Sequence, residues 1–323
     1  MGNKLSLPLI LAGSLFSITV NAQDVTWDVV THDGHPDLQG VWGNNTITPV
    51  ERPDRFGERR YLTDEEENLL QRRIREITEG GGDALFGDGV FEAAFSGEVR
   101  SYDPSTGNYD QSWLVERSVH NRTSQIIDPP NGKFPPRVEG TSGVTFNRPQ
   151  RGNTAPDSWT DLTVDDRCIS YGAPYLNSGY NSYWQIVQSQ NHVVIVQEMM
   201  HDARIVPLTE KPQLDEKIQL WHGDSRGYFD GDTLVIETTN FSGHSTFEHN
   251  QSRKNIERFT RLNQNQMLYQ LTVDLPDTYT STYTREFILN YTPDPIYEYA
   301  CHEGNYSMAN ILRGARVQEG SIE

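Results

Sequence analysis

Four ionisable side chains lie close together in the stretch from Glu198 to Arg204. His201 is a candidate acid–base group, because an imidazole titrates near neutral pH and transfers protons readily. Asp202 would orient this imidazole, and Arg204 would hold a substrate oxyanion or carboxylate. The alternative is a salt-bridged rim at a sheet edge, since structural ion-pair networks resemble catalytic sites.

A second polar stretch runs from Trp221 to Arg226 as Trp-His-Gly-Asp-Ser-Arg. Asp224 and Arg226 allow two interpretations, because a carboxylate and a guanidinium form strong paired hydrogen bonds. Either the two residues clamp a turn, or Asp224 holds the guanidinium toward a substrate oxygen. We predict Trp221, Asp224 and Arg226 as substrate-binding residues.

A third stretch covers residues 296–306 and reads Ile-Tyr-Glu-Tyr-Ala-Cys-His-Glu-Gly-Asn-Tyr. His302 and Glu303 would lie near the N-terminus of a predicted helix, where partial positive charge favours a neutral imidazole and an ionised carboxylate. That is a suitable state for a general base, so both residues are predicted as catalytic. The alternative is that Glu303 or Asn305 only caps the helix.

Three histidines, His201, His222 and His302, carry donor atoms that also suit a metal ion. None of them falls in a metal-binding spacing such as HExxH or CxxC, so we predict no metal and keep the three as alternative ligands. The chain also has no dinucleotide fingerprint, no phosphate-binding glycine-rich loop and no Gly-x-Ser-x-Gly elbow. We therefore predict chemistry without a dissociable organic cofactor.

Aromatic residues are frequent near these stretches and would line a pocket for a small organic or sugar-like molecule. Tyr183 and Tyr299 are predicted among the substrate-binding residues. Acid and base candidates are abundant and an activated nucleophile is not, which favours lyase, hydratase or isomerase chemistry over nucleophilic hydrolysis. A non-catalytic ligand-binding barrel is the main alternative, and a structural envelope protein with salt-bridge networks is another.

The N-terminus has the features of a secretory signal peptide that covers residues 1–22. Lys4 precedes an apolar stretch, and a small-x-small cleavage sequence ends at Ala22. The apolar stretch is short and interrupted for a membrane span. We therefore predict a periplasmic or secreted protein that is cleaved near Ala22.

The cysteines and the net charge indicate the type of compartment in which the protein works and the classes of partner that it can bind. The two cysteines, Cys168 and Cys301, are expected to pair in an oxidising compartment. The formal net charge is −18 at pH 7, and the acidic residues are spread along the chain. Such a surface repels nucleic acids and anionic lipids. We therefore expect a small-molecule ligand or substrate as the partner, with no nucleic acid and no membrane span.

Two short helices are predicted from their end signals. Thr63 and Glu66 form a capping box before an apolar i, i+4, i+7 pattern, and the glycines at 80–82 end this helix. The second helix is predicted to start near Ser307.

Residues 183–300 are predicted to form a long antiparallel meander, whose last strand is 296–300. Asp230-Gly231 is a strong hairpin signal, because a type I′ turn needs positive φ at both positions. The fold class is mainly β, with the meander closing into a lipocalin-like barrel, and a β-sandwich is the alternative. Gly-x-Trp at 40–42 favours the barrel.

The half before residue 183 is less regular. Residues 23–323 are predicted to form one β-rich domain. Within it, residues 128–160 are rich in Pro, Gly, Asn and Ser and predict a long surface loop, with a domain boundary as the alternative.

Several long motifs are similar to those of a large family of secreted bacterial proteins. They include EMMHDARIVPL, GDSRGYFDGDTLVIETTNF and YEYACHEGNY, and the resemblance extends from about residue 35 to about residue 316. It implies an exported, single-domain bacterial protein. It implies no particular activity, so the candidate site residues follow from side-chain chemistry alone.

Overall fold

The computed structural model describes most of the chain after the predicted signal peptide: residues 29–80, 88–96, 116–141, 155–243 and 252–320. The predicted signal peptide, residues 1–22, lies outside these ranges. Of the predicted surface loop, residues 129–141 and 155–158 form no helix and no strand of more than one residue, and a 3-10 turn follows at Trp159–Asp161. The described part of this loop is therefore irregular.

Ten strands of the described chain form one sheet, and all neighbouring strands in it are antiparallel. They are β1 (Gly40–Gly43), β2 (Ile126–Asp128), β3 (Tyr183–Gln188), β4 (His192–Gln197), β5 (Ala203–Pro207), β6 (Asp224–Asp230), β7 (Thr233–Thr239), β8 (Lys254–Arg261), β9 (Gln266–Asp274) and β10 (Tyr283–Thr292). The order is β5-β4-β3-β1-β10-β9-β8-β7-β6, and β2 pairs with β10. The predicted hairpin at Asp230-Gly231 joins β6 to β7.

The two end strands of this order, β5 and β6, meet along a seam. Leu208, just after β5, forms an isolated parallel bridge with Gly227 of β6, and the Thr209 N–H donates to the Gly227 carbonyl at 3.3 Å. The approach is close at Gly227, where a Cβ would lie 3.0 Å from side-chain carbons of both Leu208 and Val206. The sheet is therefore a nearly closed barrel, which confirms the predicted barrel-like β fold.

Side chains that alternate along the strands fill the barrel interior, as expected for a closed sheet. The Trp184 ring lies against Tyr269 and Phe259, with ring centroids 5.1 and 6.2 Å apart. Trp42 of β1 is fully buried in the same core, with the Arg261 guanidinium 4.8 Å from its ring centroid. The interior is thus a packed core whose centre is aromatic.

The described ranges contain three helices: α1 (Asp64–Gly80), α2 (Asp88–Ser96) and α3 (Tyr306–Gln318). The predicted capping box of α1 is present, since the Glu66 N–H donates to Thr63 Oγ1 at 3.3 Å and the Thr63 N–H donates to Glu66 Oε2 at 2.8 Å. The sequence analysis does not predict α2. This short helix depends on packing, because its Val90 and Phe91 share a second core with Leu70 of α1. Within the described ranges, no helix has both the length and the apolar character needed to cross a membrane.

The last predicted strand, Ile296–Ala300, is wrong, since this segment contains no strand. β10 ends at Thr292, and both of its edges are already paired, one with β1 and the other with β9. Neither edge is available to the segment after Pro295, which continues as irregular chain toward α3.

Candidate functional site

Loops at one end of the barrel bring several of the predicted residues together. Antiparallel neighbours run in opposite directions, so the end of β4 and the start of β5 lie at the same end. The parallel bridge at the seam places the start of β6 at that end as well. Asp202, between β4 and β5, consequently meets His222, just before β6. We call this the Asp202 end of the barrel.

Asp202 bridges two side chains from different loops. The Ser170 hydroxyl donates to Asp202 Oδ2 at 2.8 Å, and His222 Nε2 lies 3.2 Å from Asp202 Oδ1. The His222 and Asp202 side chains are only 20% and 11% exposed, so the pair is largely shielded from water. The Gly172 N–H donates to Ser170 Oγ at 2.8 Å, which leaves the serine proton for the carboxylate.

The Nε2 edge of the His222 imidazole lies against the Asp202 carboxylate. Nδ1 is buried and has no hydrogen-bond partner among the described residues. We call the Asp202 carboxylate and the His222 imidazole the dyad, since a carboxylate beside an imidazole is an arrangement that acid–base catalysts use.

Unusual backbone geometry marks the same end. Met200 and His201 have φ angles of 58° and 43°, in the left-handed region that side chains disfavour. Asn181, Asn240 and Cys168 complete the set of non-glycine residues with positive φ in the described chain. Such conformations cost of order 1–3 kcal/mol each and cluster at functional sites, where the surrounding structure holds them.

The turn that contains these two left-handed residues leaves His201 and Asp202 in different surroundings. The Gln197 N–H donates to the Asp202 carbonyl at 2.8 Å, so the turn between β4 and β5 is tight. His201 is exposed in this turn, whereas Asp202 contacts Ser170 and His222. The Asp202 carboxylate, which was predicted to orient His201, therefore lies beside the His222 imidazole instead.

Arg204 faces the barrel interior. Its Nη1 and Nη2 bond the two carboxylate oxygens of Glu257 at 2.5 and 2.8 Å, and the Tyr269 hydroxyl donates to the same carboxylate at 3.0 Å. The Arg204 and Glu257 side chains are 3% and 0% exposed. Burial lowers the pKa of Arg204, but the Glu257 carboxylate outweighs burial and the pKa is raised. Both terminal nitrogens of the predicted substrate-binding arginine are thus engaged in a core ion pair.

Arg226 lies on the opposite face of the barrel wall. Residues alternate between the two faces of a strand, and Gly227 faces the core, so Arg226 faces outward. Asp224 accepts from Arg226 Nη1 at 2.5 Å through Oδ1 and from the Leu214 N–H at 2.7 Å through Oδ2. Both interpretations of this pair include the bond between Asp224 and Arg226, and that bond is present. Arg204 and Arg226 consequently do not face one cavity.

Tyrosines surround the loop that carries Ser170. We define the tyrosine cluster as Tyr171, Tyr175, Tyr180 and Tyr299, which pack with Met199, Met200 and both cysteines. Burial raises the pKa of Tyr175, so its hydroxyl keeps its proton. The predicted Tyr299 therefore lies at the Asp202 end. The predicted Trp221 precedes His222 in the chain and is 42% exposed.

Glu198 and Tyr183 join β4 and β3 at this end. The Glu198 N–H donates to the Tyr183 carbonyl at 2.8 Å, and the Tyr183 N–H donates to Glu198 Oε2 at 3.4 Å. Burial raises the pKa of the Glu198 carboxyl, and it also raises the pKa of the Tyr183 hydroxyl. A buried carboxyl with a raised pKa is a candidate acid. The sequence analysis assigns Glu198 no role, although the residue stands in the same stretch as Asp202.

The predicted disulfide between Cys168 and Cys301 is present, with the Cα atoms 5.6 Å apart. It ties the loop that carries Ser170 to the chain just before α3. His302 and Glu303 follow in an exposed turn.

Asn305 caps α3. Its side-chain oxygen accepts from the Met308 N–H at 3.3 Å, and its Nδ2 donates to the Asp166 carbonyl at 3.0 Å. Of the two interpretations of this stretch, capping is therefore realised, and Asn305 performs it. The cap fixes the turn in which His302 and Glu303 lie.

The three histidines that were alternative metal ligands lie apart. His201 and His302 occupy exposed turns, and His222 is engaged with Asp202. Across the described ranges, no group of three or more His, Cys, Asp or Glu side chains is placed to hold a metal ion.

Two residues that contact Asp202, Ser170 and His222, were not predicted as its partners from the sequence. Ser170 lies 32 positions before Asp202, and His222 enters the sequence analysis only as an alternative metal ligand. The signal that could have found His222 is its position in a polar stretch directly before a strand, in the sequence Trp-His-Gly-Asp. Ser170 has no comparable signal.

Searches among protein-family models and among curated proteins found no match to this chain. The function is therefore inferred from the side chains that meet at the Asp202 end.

Proposed function

We propose that the protein is an enzyme that performs acid–base chemistry on a small organic or sugar-like molecule. One observation carries the proposal: the largely shielded His222 imidazole lies 3.2 Å from the Asp202 carboxylate at the end of the barrel. An imidazole beside a carboxylate can accept a proton from a substrate and later return it. The Asp202 carboxylate stabilises the imidazolium that forms in between.

The hydroxyl of Ser170 supports proton transfer over nucleophilic attack. A serine nucleophile gives its proton to an imidazole. Ser170 instead donates to Asp202 and accepts from the Gly172 N–H. Ser170 is thus a positioning residue for the carboxylate. Lyase, hydratase or isomerase chemistry needs a base and an acid beside a bound substrate, and these are the groups present.

Glu198 is the proposed acid. Burial raises the pKa of the Glu198 carboxyl, which makes it a better proton donor than an exposed carboxyl and suits it to protonate a leaving group or a carbanion. An imidazole and a carboxyl at one end of the barrel would supply both halves of a proton transfer. Trp221 and the tyrosine cluster are the proposed contacts for an uncharged substrate, because aromatic rings and hydroxyls bind such molecules.

The test begins with a thermal-shift screen of the purified protein against a metabolite library, followed by mass spectrometry of the products formed from each hit. His222→Gln and Asp202→Asn are expected to lower turnover by about 10²–10⁴-fold. His192→Gln is the matched control, because His192 is exposed at the far end of β4 and should leave turnover unchanged. Undiminished turnover in His222→Gln would remove His222 as the base.

Two further variants test the residues predicted from the sequence. If His201→Gln or His302→Gln abolishes turnover while His222→Gln retains it, the base is one of the exposed histidines. Loss in His222→Gln alone supports the dyad.

A ligand-binding protein without turnover is the second candidate. The tyrosine cluster favours it, because such a cluster can hold an uncharged ligand without help from the dyad. In that case a hit would raise the melting temperature equally in the wild type and His222→Gln, and no product would form.

We further propose that the protein is exported and that it belongs to the family of secreted bacterial proteins that its motifs resemble. The disulfide supports export, since such bonds persist mainly in oxidising compartments. Cell fractionation and N-terminal sequencing test the proposal. The expected result is a periplasmic or extracellular protein whose first residue is Gln23, and an intact N-terminus in the cytoplasm would contradict it.

A further inference from the structure

A cavity of about 460 Å³ lies on the outer face of the barrel wall, separate from the loops of the Asp202 end. Its floor includes Gln266 and Leu268 of β9 and Glu286 and Ile288 of β10, while chain segments near residues 46–48 and 119–122 form its roof. A cavity of this size is within the range that holds small molecules. We call it the side cavity.

Backbone hydrogen bonds hold the roof of the side cavity in place. The Ile47 N–H donates to the Ser118 carbonyl at 3.1 Å, and the Ser118 N–H donates to the Asn45 carbonyl at 2.8 Å. The Leu62 N–H donates to the Asn121 carbonyl at 2.6 Å. The space is therefore formed before any ligand arrives, which lowers the entropic cost of binding.

The charges around the side cavity disfavour an anionic ligand. Arg122 forms an ion pair with Glu286, and Gln270 Nε2 donates to the second oxygen of Glu286 at 2.7 Å. The carboxylate thus neutralises the guanidinium, and Glu67 adds a further negative charge to the lining. His120 supplies no positive charge near neutral pH, because burial lowers its pKa to about 4.

Uncharged hydrogen-bonding groups dominate the rest of the lining. Thr46, Thr48, Asn121 and Gln266 offer hydroxyl and amide groups that both donate and accept. The Tyr61 ring is 51% exposed and has the Arg122 guanidinium 5.4 Å from its centroid, so ring and guanidinium together supply a flat surface at the same place. A ring with hydroxyls at its rim and C–H groups on its face complements this combination.

We propose that the side cavity is a binding site for a neutral sugar or another uncharged, polyhydroxylated ring. The aromatic surface faces the C–H side of the ring, and the threonine and amide groups bond its hydroxyls. The negative lining excludes acidic sugars. This site does not depend on the function proposed for the Asp202 end, since none of its lining residues takes part in the dyad.

The test uses the intact protein with glucose, maltose and glucuronate as probes in saturation-transfer NMR and titration calorimetry. Glucose or maltose is expected to bind, and glucuronate is expected to bind at least tenfold more weakly than glucose. Asn121→Ala and Thr48→Val should each weaken binding of the neutral sugar about tenfold, the order of effect expected from one lost hydrogen bond.

Asn310→Ala is the matched control, because Asn310 is exposed on α3 and should leave affinity unchanged. Thr48→Val keeps the shape of a buried side chain, and Asn121→Ala alters an exposed one whose backbone carbonyl stays bonded, so both variants should fold. No binding of either neutral sugar at millimolar concentration would overturn the proposal. Unchanged affinity in both cavity variants, or tighter binding of glucuronate, would also overturn it.

Discussion

At the scale of single residues, Asp202 and Arg204 show how two positions in one stretch take unrelated tasks. Asp202 accepts a hydrogen bond from Ser170 and contacts His222 at the end of the barrel, whereas Arg204 donates hydrogen bonds to Glu257 inside it. Removing one partner of a buried ion pair strongly lowers the stability of the fold, since the remaining charge stays buried without a partner.

Glu257→Gln is therefore expected to lower the free energy of unfolding by about 3–5 kcal/mol, because Arg204 would remain charged and buried. Urea unfolding monitored by tryptophan fluorescence measures the change. Asp230→Asn is the control, since it breaks the exposed Arg258–Asp230 pair and should cost only about 0–1 kcal/mol. Equal stability of the two variants would show that the interior pair contributes no more than the surface one.

His120 gives the stability a pH dependence of predictable sign. Its pKa is about 4 in the folded protein and about 6.5 in an unfolded chain. Between these values only the unfolded state takes up the proton, so the free energy of unfolding falls as the pH drops from about 6.5 to about 4.

His120→Gln removes this contribution. The wild type should therefore lose more stability between pH 7 and pH 5 than the variant does, in urea unfolding at the two pH values. Glu67, Glu286 and Arg122 also line the side cavity and are present in both proteins, so the comparison isolates His120. His192→Gln should behave like the wild type, and a variant that is as acid-sensitive as the wild type would contradict the expectation.

At the scale of elements, local signals were reliable where neighbouring residues decide the structure. The capping box at Thr63 formed as predicted, because a few adjacent residues fix it. A hairpin also formed next to Asp230, but the expected turn was wrong: Asp230 is still a strand residue paired with Thr233, and of Asp230 and Gly231 only Gly231 has a positive φ. The strand predicted at Ile296–Ala300 failed because its formation depends on whether β10 has a free edge, which the local sequence does not encode.

The same distinction applies to the candidate site. The stretch around Asp202 could be singled out from the sequence, because polar residues that end a strand are visible locally. The partner could not be found in this way, because His222 comes from a loop that only the closure of the barrel brings near. The left-handed φ angles of Met200 and His201 were equally invisible, since neither residue type signals such a conformation.

The disulfide anchors α3, and its loss should loosen this helix first. Replacing Cys168 and Cys301 by serine is expected to cost about 2–5 kcal/mol, because the loop that the bond closes spans 133 positions. Hydrogen exchange by mass spectrometry should show faster exchange in α3 and around Ser170, with β7 to β9 still protected. Protection of α3 equal to that in the wild type would mean that its other contacts suffice.

At the scale of the whole molecule, the two halves of the chain share one sheet. β1 lies between β3 and β10, and β2 pairs with β10, so strands from the irregular half complete the barrel. A barrel that lacked β1 would have two unpaired edges at this point.

The protein is therefore expected to unfold in one cooperative transition. Far-ultraviolet circular dichroism and tryptophan fluorescence should give coincident urea curves, as in a single domain. Two separated transitions would mean that the half before residue 183 folds as a domain of its own.

The bond between Cys168 and Cys301 also decides how the molecule would respond to tension on its two ends. All strands from β3 to β10 lie inside the covalent loop that this bond closes. Once the outer segments extend, the disulfide therefore carries the pulling force and these strands do not. In an optical trap, the oxidised chain should reach a contour length roughly 450 Å shorter than the reduced chain, because 133 positions stay hidden from the force. Reduction would release this length, so a reducing environment would be readable as a mechanical extension.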